Sequence, residues 1–168
     1  MAIVVAAFAG LLLGSLANVL IARIPDGQEW VRAPSHCPQC GAQIAWYDNI
    51  PVLSWLWLRR RCRNCKEPIS AQYPLVELTV AALFGLIAWQ FGMTFLALGL
   101  AYLAVVTVAL AVIDLQHMRL PDALTLPSYP VLLVIVALHS SVTDDWWLLA
   151  RAVIGALGLG AFYFVFWF

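Results

Sequence analysis

The chain has 168 residues, of which 64% are hydrophobic and 11% charged, and its mean hydropathy is +0.90. That balance lies far outside the range of soluble globular domains and reads as an all-α polytopic integral membrane protein. Nine basic and nine acidic side chains cancel, so net charge gives no reason to expect a nucleic-acid partner, and the information lies in where the charges fall.

A spanning helix needs about 20 apolar residues to cross about 30 Å of hydrocarbon. The first candidate covers residues 3–24. It is longer and more uniformly apolar than a cleaved signal peptide, with no basic segment ahead and no small-residue cleavage site behind, so it reads as a retained helix. Within it Gly10 and Gly14 form a GxxxG with Ser15 alongside, a pattern that permits close helix contact. From Arg23 to Lys66 the chain then carries seven of its nine Lys and Arg residues. That concentration is expected on the cytoplasmic side.

The loop contains two cysteine pairs, CPQC (Cys37, Cys40) and CRNC (Cys62, Cys65), with 21 residues between them. Tetrahedral zinc takes four thiolates, and two CxxC knuckles supply them two at a time. A redox role or free thiols are the competing readings, and a reducing cytoplasm disfavours disulfides. A loop this short buries little core, so a structural zinc would contribute on the order of 10 kcal/mol of its folding energy. Between the pairs, Trp46, Tyr47, Trp55 and Trp57 alternate with apolar residues and lead into Arg59, Arg60 and Arg61. Such a segment suits a surface resting on anionic lipid headgroups. It equally suits the core of a zinc-ribbon hairpin, and the two readings are compatible.

Further candidate spans cover residues 74–91, 94–113, 123–140 and 146–168. Pro127 and Pro130 are expected to interrupt the fourth. A cytoplasmic loop puts the amino terminus outside and brings the third span down to the cytoplasm at Asp114. Asp144, Asp145, Trp146 and Trp147 then lie in an external loop, an acidic pair beside an interfacial aromatic pair. Gly155, Gly158 and Gly160 are expected to allow close packing of the fifth span. That span stops at FVFWF with no polar residues after it, and is expected to break off inside the bilayer. No internal repeat is evident. The chain divides into residues 1–24 (first span), 25–73 (four-cysteine loop) and 74–168 (spans two to five).

Asp114 stands at the carboxyl end of the third span, where a negative charge opposes the helix dipole by about 0.3 to 1 kcal/mol. Ionisable residues at such a depth usually mark function. His117 and Arg119 nearby read as counter-charges to it or, the favoured reading, as positive-inside anchors. Asp122 follows Pro121, which breaks the helix; capping the next helix and a supporting functional role are both open for it. A carboxylate in partly apolar surroundings can do acid–base work when a second one shares its proton. Glu77, in YPLVEL at the start of the second span, is the other acid within a span.

Four segments together resemble the type IV prepilin leader peptidases, bifunctional membrane aspartic peptidases and N-methyltransferases of type IV pilus and type II secretion systems. They are GSLANVLIARIP (14–25), CPQCGAQIAWYDNIPVLSW (37–55), RRRCRNCKEPISAQYPLVEL (59–78) and IDLQHMRLPDALTLP (113–127). The resemblance implies that Asp114 is the first of two catalytic aspartates, the second lying in a GxGD motif that this sequence does not contain. It places Glu77 in the family's own YPLVEL segment and not as a replacement partner. It further implies leader cleavage of prepilins or pseudopilins at the cytoplasmic face of the bacterial inner membrane. Methylation of the new amino terminus by S-adenosylmethionine follows, with the four-cysteine loop as the methylation region. These 168 residues alone are expected to lack peptidase activity. The alternative from another class is a non-catalytic zinc-ribbon docking or scaffold protein in the membrane.

Overall fold

The computed structural model describes residues 1–31 and 34–167. Arg32 of the basic loop, Ala33 and Phe168, the end of the fifth expected span, lie outside the described residues. The described residues form six α-helices: α1 Ala2–Arg23, α2 Leu53–Trp57, α3 Gln72–Phe91, α4 Phe95–His117, α5 Asp122–Thr143 and α6 Trp146–Trp167. A short 3-10 turn, Trp46–Asn49, precedes α2. Five of the helices, all but α2, are long and apolar enough to cross a membrane. The expected all-helical, multi-pass architecture with a four-cysteine loop between the first two spans is therefore what the chain adopts.

Its boundaries follow local chemistry. Thr94 caps α4, its side chain accepting from the Ala97 N–H at 3.1 Å, as Ser and Thr do at this position. Gly92 ends α3 at φ +63°, a conformation open to glycine without strain. At its far end α4 runs four residues beyond the expected limit, with no proline or glycine between Asp114 and His117 to stop it. It stops where Met118 turns left-handed and donates its N–H to the Asp114 carbonyl at 2.8 Å.

The first span packs on the second through its small residues. A Cβ added at Gly10 would lie 2.7 Å from Ala81 Cα, and one at Gly14 only 2.6 Å from Glu77 Cα. One turn further on, Asn18 donates to the Tyr73 carbonyl at 3.0 Å. Steps of four residues on each helix, in opposite directions, make α1 and α3 an antiparallel pair at backbone contact. Ala17, Ile21, Val80, Ala109 and Ile113 bring α4 into the same core. Gly14→Leu forces a side chain into the α3 backbone and is expected to cost about 1 to 3 kcal/mol or more. Unfolding of purified protein in detergent checks this, and unchanged stability would dismiss the close contact.

Two expectations for the later helices need correction. α5 is continuous through Pro127 and Pro130. The prolines leave the Ala123 and Leu126 carbonyls without their usual donors; Ser128 between them donates its hydroxyl to the Leu124 carbonyl at 2.6 Å. It also accepts from Tyr102 of α4 at 3.1 Å, the kind of neighbouring-helix support that lets proline persist in a span. In α6, Gly155, Gly158 and Gly160 have open space where a side chain would be. They make no close helix contact among the described residues.

Candidate functional site

Both cysteine pairs fold into the same ten-residue knuckle. In the first, the Cys37 N–H donates to the Ala42 carbonyl (2.9 Å), the Gly41 N–H to the Cys37 carbonyl (2.9 Å) and the Ile44 N–H to the Ser35 carbonyl (2.8 Å). In the second, Cys62 to Glu67 (2.8 Å), Lys66 to Cys62 (3.1 Å) and Ile69 to Arg60 (2.7 Å) repeat that pattern 25 positions later. Gly41 and Lys66 each take the left-handed conformation, at φ +70° and +63°. The chain thus contains a local duplication that the sequence reading did not find. Its visible trace is the common offset of Cys37 and Cys62, Cys40 and Cys65, Ile44 and Ile69.

The two knuckles face each other, and the four sulfur atoms lie within 4.8 Å of one another. Cys37 Sγ and Cys65 Sγ are 3.9 Å apart, close to the roughly 3.8 Å edge of a tetrahedron with zinc–sulfur bonds of about 2.3 Å. The residues present therefore fit a four-thiolate metal such as zinc. Their surroundings already favour partial ionisation. The Ala42 amide, then the Asn64 side chain, hold Cys40 down to about 6. The Cys65 and Asn64 amides lower Cys62. Cys65 is pushed up to about 12: the Glu67 amide favours its thiolate, but desolvation and the three neighbouring sulfurs outweigh it. A dication at the centre reverses that repulsion and lets all four ionise.

The knuckles are braced by side chains from the segment between the pairs and by Arg63. Arg63, inside the second CxxC, donates to both Asp48 oxygens at 2.6 Å and lies over the Tyr47 ring at 5.5 Å. This bidentate pair keeps the Asp48 carboxyl below its usual range. Its contribution is present above the ordinary carboxylate pKa and is lost as pH falls through the depressed one. Trp55 donates to the Ile69 carbonyl at 3.2 Å. Trp46 and Trp57 by contrast are exposed, so the segment between the pairs is not simply a ribbon core.

Asp114 lies in the last turn of α4 and is exposed, directly after the fully buried Ile113. Two residues on, Gln116 donates to Gln72 at the start of α3 at 2.6 Å. That bond ties the rim bearing Asp114 to the end of the helix pair from which the cysteine loop projects. Between them α3 and α4 leave an apolar groove of about 510 Å³, lined by Leu75, Thr79, Val108 and Leu115 among others. Asp48 and Arg63 form an ion pair at 2.6 Å. Asp122 is not a cap: Pro121 occupies that position, and the carboxylate sits in the first turn of α5, where it complements the dipole. Glu77 is buried, and its Oε2 accepts the Val52 N–H at 2.7 Å.

Two protein families match the chain: the Bacterial Peptidase A24 N-terminal domain over residues 8–91, and the Type IV leader peptidase family over residues 100–168. The relatives it resembles include three proteins named prepilin leader peptidase/N-methyltransferase. That of Klebsiella pneumoniae is 40% identical over 94% of this chain and 70% of its own length. That of Stutzerimonas stutzeri is 36% identical, over 94% and 62%. That of Myxococcus xanthus is 48% identical, over 70% and 35%. This chain thus spans less than two thirds of the last two. No solved structure matches it.

Proposed function

This chain belongs to the type IV leader peptidase family, and from that membership we propose that it serves a membrane aspartic peptidase and N-methyltransferase. The substrates are prepilins or pseudopilins, cut where their charged leader meets the hydrophobic helix. The loop carrying the cysteines faces the cytoplasm, as its six basic residues and the acidic Asp144 and Asp145 at the opposite end favour. The membrane is then the bacterial inner membrane.

One observation carries the reading: Asp114 stands at the rim of α4 that the Gln116–Gln72 bond fixes beside the root of the cysteine loop. On this reading leader cleavage and modification of the new amino terminus act on one face. In the peptidase step Asp114 is one of two carboxylates sharing a proton. The ionised acid takes a proton from water as it attacks the scissile carbonyl, and the protonated acid donates to the carbonyl oxygen. The second carboxylate is the one the family carries in GxGD, a motif this sequence does not contain. Glu77 is not that partner, since its carboxylate is engaged with the Val52 amide. Its role, with Asp122 at the start of α5, is to support the site's frame.

Cys37, Cys40, Cys62 and Cys65 hold zinc, which supplies folding energy to the loop and no chemistry to the reaction. The loop of residues 25–73 is the methylation region, and S-adenosylmethionine is the methyl donor. A purely docking role for the zinc loop is not favoured, because both family matches are to peptidase domains. Membranes containing the protein expressed from its native gene test the proposal when mixed with a prepilin. A shorter product bearing a methylated amino terminus is expected; an uncut substrate would refute it.

A further inference from the structure

Between the two knuckles the backbone dips back among the spanning helices. The Val52 N–H reaches Glu77, the sixth residue of α3, about 7 to 8 Å along the axis from its first. Gly14 packs against Glu77 there, nine residues before the end of α1 at Arg23, or about 13 Å along it. Asn49 and Pro51 line a single cavity with Leu12, Ser15, Leu16 and Val19 of α1. The turn at residues 49–52 is thus level with the spans and not beyond their ends.

Non-helical backbone persists at that depth only where the protein satisfies its polar groups. Pro51 has no N–H to satisfy. The Val52 N–H is taken by Glu77, while Val52 holds φ +62°, a conformation that β-branched residues avoid. A strained turn held by a buried carboxylate is a tether. On either side of it stand Trp46 (81% exposed), Leu53 (63%), Leu56 (58%) and Trp57 (84%). Arg59, Arg60 and Arg61 follow at once, and the Arg60 guanidinium lies 5.7 Å above the Trp55 ring. In water that cluster would be a costly apolar patch. At the boundary of headgroups and acyl chains each part finds its preferred surroundings.

We infer that the 3-10 turn and α2 form a re-entrant interfacial element embedded in the leaflet at the Arg23 end of α1, with Arg59, Arg60 and Arg61 on anionic headgroups and Glu77 setting its depth. The inference rests on the spanning helices and is independent of the enzymatic reading. An element so placed gives the cysteine loop a fixed height over the membrane.

Photoreactive benzoylphenylalanine tests this when substituted singly at Leu53, Trp57 or, as a control, Glu67 on the second knuckle. The protein is reconstituted in vesicles of phosphatidylethanolamine and phosphatidylglycerol. Phospholipid adducts are expected at 53 and 57 and only background at 67. Equal yields at all three, or adducts to a second protein chain in place of lipid, would overturn the inference. Replacing phosphatidylglycerol by phosphatidylcholine should lower the yield at 57; no change would remove the anionic-headgroup part. Glu77→Leu should lower it too, with zinc content reporting that the loop remains folded. A yield unchanged in that variant would remove the tether.

Discussion

Asp114→Asn, introduced into the protein expressed from its native gene, is expected to lower leader cleavage on the order of 10⁴-fold, the scale on which removal of one member of a catalytic unit acts. The substitution is nearly isosteric but cannot hold or return the shared proton. Because Asp114 is exposed and the adjacent Ile113 carries the packing, expression, zinc content and helix assembly should be unchanged. Asp122→Asn is the contrast: it removes a favourable interaction with the α5 dipole, worth about 0.3 to 1 kcal/mol. Cleavage should persist in it. The measurement is the ratio of cut to uncut prepilin at fixed time and enzyme. Normal cleavage by the Asp114 variant would remove the catalytic assignment and leave the helices and metal centre standing.

The parts legible in the sequence are those with a one-dimensional signature. Span lengths follow from apolar runs, because a bilayer imposes a length on any helix crossing it. The four-cysteine cluster follows from CxxC spacing, because two such pairs suit a tetrahedral metal such as zinc. What stayed hidden depends on where distant residues meet. Arg63 counts as a loop cation until the fold brings it 2.6 Å from Asp48. Glu77 was read as an acid in a span, a feature that suggests chemistry, and folding turned it toward a backbone amide instead. Pro127 and Pro130 are expected to interrupt the fourth span, yet α5 runs on through both. In α5 a serine between them and a tyrosine on α4 supply local bonds. The knuckle duplication escaped because only three of its ten positions are shared, while the backbone hydrogen bonds that define it leave little mark on side-chain identity.

Removal of the metal should separate the loop from the membrane helices. Each knuckle is closed by three short backbone bonds. Coordination, on the order of 10 kcal/mol, therefore outweighs every other contribution to the loop's stability. Cys62→Ser or a strong chelator is expected to abolish zinc binding and expose the two knuckles, residues 35–44 and 60–69, to protease. The α1–α3 ladder through Gly10, Gly14 and Asn18 holds without the loop, so helical content by circular dichroism should change little. Acid should act like the chelator, because protons compete with zinc for the four thiolates. Leader cleavage is expected to fall less than methylation, since Asp114 stands on α4 and the loop itself is the proposed methylation region. A preparation without zinc, with four freely titratable thiols and a loop still resistant to protease, would show that the knuckles hold themselves together and that the cysteines serve something other than a metal.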